Sequence, residues 1–250
     1  MFAPVARRLP SRRWRLRARR ALLVLCLWHG AGGAVAQQIT SARYVEPVTR
    51  YGHGVLGDAV EYGALRISVG QGADRLIRLP ESHVFEDISP RLVDLDLDGR
   101  ADAVMVVETD MARGAALALY GPTGKIAQTP HIGQTHRWLA PLGAADLDRD
   151  GRVEIAYVDR PHLARILRIW RFRDGALQPV AEARGLTNHR IGEAFISGGI
   201  RDCGAGPEIV TADAGWSRIM VSRLEAGRIA TRPVGAFTGA AGMRAVLACR

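Results

Sequence analysis

The nine residues Asp94-Leu95-Asp96-Leu97-Asp98-Gly99-Arg100-Ala101-Asp102 return 52 positions later as Asp146-Leu147-Asp148-Arg149-Asp150-Gly151-Arg152-Val153-Glu154. This repeat restricts the fold more than any other feature, because a unit of that length cannot bury its apolar face alone and must stack on its own copies. Other markers keep the step. Gly72, Gly124, Gly175 and Gly227 are spaced 52, 51 and 52. His83, His136, His189 and Met243 follow at 53, 53 and 54. A third register runs Asp58, Asp102, Glu154 and Glu208, spaced 44, 52 and 54. The chain therefore reads as four copies of one unit, at about 51–88, 89–141, 142–194 and 195–250.

Inside a unit, short apolar runs alternate with turn residues. The second unit offers 103–107, 115–120, 125–132 and 137–145, and the third 155–158, 165–172, 176–183 and 191–197. Val, Ile, Leu and aromatics fill these runs, and Pro122-Thr123-Gly124 and Arg173-Asp174-Gly175 suit tight hairpins. Four strands per 52 residues is the arithmetic of a propeller blade. The expected fold is all-β: a β-propeller-like array of about four four-stranded units in a single domain over 37–250. Tyr51-Gly52-His53-Gly54-Val55-Leu56 resembles a unit's last strand although it stands near the beginning. A first strand that completes the last unit would hide two sheet edges, so 44–56 is expected beside the C-terminal unit.

The acidic loops point to metal. D-x-D-x-D-G-x-x-[D/E] sets three carboxylates on alternate residues, turns the chain at glycine and brings a fourth carboxylate round behind. A hard cation such as Ca²⁺ takes six to eight oxygens. The first loop offers Asp94, Asp96, Asp98 and Asp102 with the Arg100 carbonyl, and the second Asp146, Asp148, Asp150 and Glu154 with the Arg152 carbonyl. Bare, such carboxylates repel one another. Two Ca²⁺ ions are expected, in structural rather than catalytic roles. In the fourth unit the loop has decayed: Ile200, Asp202 and Gly204 stand where three aspartates should, and Cys203 lies among them. Cys249 is expected to end the final strand, and a Cys203–Cys249 disulfide to replace the ion there.

Tandem acidic loops of this form, each opening a unit of short strands, resemble the FG-GAP/VCBS-type repeats of exported bacterial proteins, whose fold is related to the integrin α-subunit β-propeller. The likeness runs from about Tyr51 to Arg250. It implies a secreted, calcium-loaded propeller that contacts a protein or a glycan, and it implies no activity.

The N-terminus reads as an address. Eight arginines and no acid occupy the first twenty residues, followed by the apolar run 21–28 and then Ala34-Val35-Ala36. A basic head, a short apolar middle and an A-x-A end form a secretory signal, with cleavage expected after Ala36, by either the Sec or the twin-arginine route. The 16 residues 21–36 fall short of the roughly 20 that a spanning helix needs. Removing those eight arginines from the 34 basic residues leaves 26 against 25 acidic ones, so the net charge of +9 nearly vanishes. That removes the electrostatic case for nucleic acid as a partner. Export also places Cys203 and Cys249 in an oxidising compartment.

No nucleophile-elbow, zinc-protease, P-loop or dinucleotide fingerprint is present. His83, His136 and His189 read as one repeated structural position. His131 and His136, five apart, would lie on opposite faces of a strand, which argues against a shared metal. The tryptophans 138, 170 and 216 read as core. The expected role is a calcium-stabilised binding or structural module, periplasmic or extracellular. The alternative is a periplasmic hydrolase or lyase, for which a deep hollow lined by His162, His189 and Glu193 would speak.

Overall fold

The computed structural model describes residues 1–2, 38–70 and 72–250, and the expected signal segment from residue 3 to its cleavage site lies outside the described residues. The described residues are all-β, in several antiparallel sheets, with one short helix. Strands β1 (Ile39–Val48), β2 (Glu61–Val69) and β3 (Ala73–Arg78) form a meander, with β2 in the middle. The short β4 (His83–Phe85) joins it to the next unit, pairing with β2 through Tyr62 and Phe85 and with β6 along its whole length. Three four-stranded meanders follow. The first is β5 (Arg91–Val93), β6 (Ala103–Asp110), β7 (Gly114–Gly121) and β8 (Gly124–Gln128). Next come β9 (Leu139–Ala145), β10 (Glu154–Asp159), β11 (Ile166–Arg173) and β12 (Ala176–Arg184). After the two-residue β13 (Leu186–Thr187), the last is β14 (Gly199–Asp202), β15 (Pro207–Asp213), β16 (Arg218–Glu225) and β17 (Arg228–Ala236), followed by α1 (Ala240–Leu247).

Of the repeated turn glycines, Gly72, Gly175 and Gly227 stand at hairpin tips, while Gly124 pairs with Gly121 and begins β8 just after one. Asp174-Gly175 and Ala226-Gly227 both have positive φ at both central positions (50° and 73°, then 49° and 73°), the backbone of a two-residue primed turn. Glycine adopts that conformation without the steric cost a Cβ brings, which is why the marker recurs.

Period-two alternation decides what each sheet buries. On β6, Ala103, Met105 and Val107 face a core shared with Leu117, Leu139 and Ile155, while Val104 and Val106 face the opposite way, toward Leu65, Ile67 and Phe85. A third core joins Ala156, Val158, Leu167 and Ile169 to Ile209 and Leu224. Successive sheets thus stack face on face. The last free face, Val210, Ala212, Ile219 and Val221, is covered by Met243, Val246 and Leu247 around α1.

Three expectations are corrected here. Residues 44–48 belong to β1 and pair with β2, with Tyr44 opposite Leu65, instead of lying beside the C-terminal unit. Tyr44 explains the choice: its ring stacks on Tyr62 and Phe85 at 5.7 and 5.3 Å, a partner set present only in the first unit. Cys249 follows a helix and ends no strand, because the last face is closed by α1. Residues 191–197 form a loop, not a strand; each four-stranded meander begins with the strand that precedes the acidic turn.

Candidate metal loops and a histidine-lined hollow

Both acidic loops join the first strand of a meander to the second, and both close on the same hydrogen bonds. The Asp98 and Gly99 amides donate to the two oxygens of Asp94 (3.2 and 2.8 Å), and the Leu95 amide donates to Asp102 Oδ1 (2.8 Å). Fifty-two residues on, the Asp150 and Gly151 amides donate to Asp146 (3.0 and 2.9 Å), and the Leu147 amide to Glu154 Oε2 (2.9 Å). Leu97 and Arg149 occupy matching left-handed positions, φ 62° and 63°. Carboxylate oxygens of Asp94, Asp96 and Asp98 lie within 4.8 Å of one another, as do those of Asp146, Asp148 and Glu154. Asp102 and Asp150 stand outside these groupings.

The loops differ in what balances them. Arg171, directly across the strand pair from Glu154, reaches Asp148 (2.6 Å), Asp150 (3.0 Å) and Glu154 (2.5 Å) with one guanidinium. Yet Asp148 Oδ1 is buried with no hydrogen-bond partner. A buried acceptor left open costs about 1–3 kcal/mol, more when charged, and a cation in the loop would satisfy it. Those donors fit Ca²⁺: they are carboxylate oxygens on a turn, with an unused lone pair among them. In the first loop, continuing the β6–β7 register sets Pro122 opposite Asp102, and among the described residues no basic side chain pairs with Asp94, Asp96, Asp98 or Asp102. Burial, together with the charges of Asp96 and Asp94, pushes the Asp102 carboxyl up.

Glu208 is gripped by Arg201, Arg223 and Arg232 at 2.7–3.1 Å. Burial works against its charge, but Arg201 and Arg223 prevail and hold the carboxyl below its usual range. Cys203 and Cys249 are bonded, with Cα atoms 5.7 Å apart, closing a span of 46 residues. The Asp202 side chain accepts the Gly204 and Gly206 amides.

A separate feature was hidden from the sequence. His53, Val55, His136, Arg137, Trp138, Arg160, His162, Leu163 and Ile191 line a hollow of about 270 Å³. It gathers the irregular segment after β1, the segment before β9, and the loops that follow β10 and β13. His53 Nδ1 donates to Glu86 Oε1 (2.5 Å), and Glu86, fully buried, also accepts from Thr109 Oγ1 (2.7 Å). The Trp138 indole donates to the Glu86 carbonyl (2.7 Å). Tyr51 accepts the His136 amide at 2.8 Å and stacks on that ring, and its hydroxyl is pushed up to about 12 by burial and by Glu86.

The histidines of the shared register have separate surroundings. His189 is buried against Trp138, donates through Nε2 to the Glu193 carbonyl (2.8 Å) and meets His162 Nε2 at 2.9 Å. Burial and the neighbouring His189 and His53 press His162 down to about 4, so the pair is neutral at pH 7. Of the three residues proposed for a catalytic hollow, only His162 lines it; His189 sits behind it, and Glu193 carboxylate accepts the Arg190 amide. Spacing along one strand gives no sign of a hollow assembled from four loops.

The tryptophans are engaged. Trp138 is 2% exposed, Trp170 donates to the Tyr157 hydroxyl (3.1 Å), and Trp216 lies under the Arg190 guanidinium (4.4 Å). Among the described residues no helix is long and apolar enough to cross a membrane. No family model matches the chain, and no curated protein matches it in sequence.

Proposed function

We propose that the protein is an exported, calcium-stabilised repeat module of the FG-GAP/VCBS type, a propeller-like stack that binds a protein partner. The recurrence of one loop geometry at Asp94–Asp102 and Asp146–Glu154 carries this reading, together with the lack, among the described residues, of a basic partner in the first loop. Asp94, Asp96, Asp98 and Asp102 would hold one Ca²⁺, and Asp146, Asp148, Asp150 and Glu154 a second. Each bound ion supplies positive charge to a turn that otherwise repels itself, and stabilises the fold by mass action.

A protein partner is favoured over a glycan because, of the tryptophans among the described residues, Trp138 is buried, Trp216 is covered by Arg190 and the indole N–H of Trp170 is bound to Tyr157. The hollow is instead rimmed by apolar side chains in water: Ile191 is 73% exposed and Leu163 64%. Two large aliphatic residues flanking a concave site suit an apolar segment of another protein. The hydrolase or lyase alternative draws on the His53–Glu86 pair alone.

A photo-crosslinking amino acid at 163 or 191, in extracts of the cells that make the protein, tests the reading. The expectation is one discrete adduct in calcium that disappears in EGTA. Equal capture from a crosslinker at Arg228, on the outer strand β17, would contradict it.

A further inference from the structure

We propose that His83, Asp110 and His131 form a binding site for a divalent transition ion of the zinc class, separate from the acidic loops. Their ligand atoms lie within 4.8 Å of one another, although the three residues come from different segments of the second unit and its approach. His83 begins β4 and pairs directly with Asp110, the last residue of β6. His131 follows β8 on a segment fixed to β7, where the Thr129 amide donates to the Leu117 carbonyl (2.9 Å) and the Ile132 amide to the Ala115 carbonyl (3.0 Å).

Both imidazoles are oriented from behind, as metal-binding histidines are. His131 Nδ1 donates to the Gly114 carbonyl (2.8 Å), so its Nε2 carries the lone pair. Among the described residues its other hydrogen-bonding contact is the Gln128 side-chain amide at 3.5 Å, the outer limit of a hydrogen bond. His83 Nδ1 meets Ser82 Oγ at 2.9 Å, and its Nε2 lies 3.6 Å from Asp110 Oδ2 and 3.8 Å from Glu108 Oε1. Bond lengths of 2.0–2.1 Å in a tetrahedral zinc site imply ligand atoms about 3.3 Å apart. The strand register brings His83 and Asp110 together, and a contraction of a few tenths of an ångström from 3.6 Å reaches that value; His131, within 4.8 Å of both, closes in further.

The donors decide the metal. Two imidazole nitrogens and a carboxylate suit zinc and its neighbours, whereas calcium demands oxygens. Glu108 Oε1 or water completes the set; Glu108 Oε2 is already taken by the Tyr120 hydroxyl (2.6 Å) and Lys125 (2.7 Å). Asp110 is held already on both oxygens: the Ala112 and Arg113 amides donate to Oδ1 (2.8 and 3.1 Å), and Arg113 Nε donates to Oδ2 at 2.7 Å from a side chain 60% exposed, so Oδ2 is the oxygen a metal would take in place of Arg113.

Metal-stripped full-length protein is titrated with Co²⁺ alone, with Asp96→Asn/Asp146→Asn protein as the loop control. One cobalt should bind with micromolar or tighter affinity and show tetrahedral visible bands, in wild type and control alike. His83→Gln and His131→Gln should each weaken it at least tenfold, and Arg113→Gln should tighten it. Absence of binding below millimolar, or binding that both histidine variants retain, overturns the proposal. Should either variant fail to fold, zinc-edge anomalous diffraction from wild-type crystals decides: a peak between the three side chains supports the site, and a peak elsewhere or none rejects it.

Discussion

Arg171, Arg223 and Pro122 hold corresponding positions across from Glu154, Glu208 and Asp102, and they form a graded series. Glu208 meets three arginines, Glu154 meets one, and Asp102, opposite proline, meets none among the described residues. Local motif spacing makes the carboxylates legible in sequence, but Arg171 is 17 residues from Glu154 and is found only by knowing the strand register. The same is true of buried charge. Glu61 is 2% exposed, and burial followed by Glu86, Asp58 and Asp87 pushes its carboxyl up to about 9. In the unfolded chain it titrates near 4.5, so between these values the folded state holds the extra proton and stability falls as pH rises. Glu61→Gln should therefore flatten the decline in unfolding free energy between pH 5 and pH 9, by on the order of a few kcal/mol at the alkaline end. Parallel pH profiles for the two proteins in denaturant melts would refute this.

Elements were legible where the pattern is local. Hairpin tips at Asp174-Gly175 and Ala226-Gly227 and strands such as β6, β7, β10 and β11 follow from turn chemistry and apolar runs. The first strand and the last helix were not, because what fixes them is distant. β1 is set by Tyr44 against Phe85, 41 positions away, and α1 has no side-chain cap and two glycines in or beside it. Its one available signal was Met243, Val246 and Leu247 at helical spacing. Because Cys249 adjoins α1 and Cys203 lies in the β14–β15 turn, the disulfide pins the helix across the end of the stack. The chain-entropy value for a loop of 46 is about 4 kcal/mol. Reduction, or Cys203→Ser with Cys249→Ser, should cost stability of that order and release amide-exchange protection in 240–247 before the β6–β7 core. Unchanged protection of the helix after reduction would show that packing alone holds it.

At the scale of the molecule, sheets stacked face on face share three apolar cores, and α1 covers the outer face of the last sheet in a fourth. The acidic turns join the first and second strands of two successive meanders, β5 to β6 and β9 to β10. Their ions are the central claim. Isothermal titration of Ca²⁺ into EGTA-stripped protein tests it most directly. Two sites of unequal affinity are expected: the tighter is lost in Asp96→Asn, the weaker is lost in Asp146→Asn, and the weaker is tightened roughly tenfold in Arg171→Met, which removes the competing charge. No calcium heat below millimolar concentration, or a titration indifferent to both aspartate substitutions, would contradict the account.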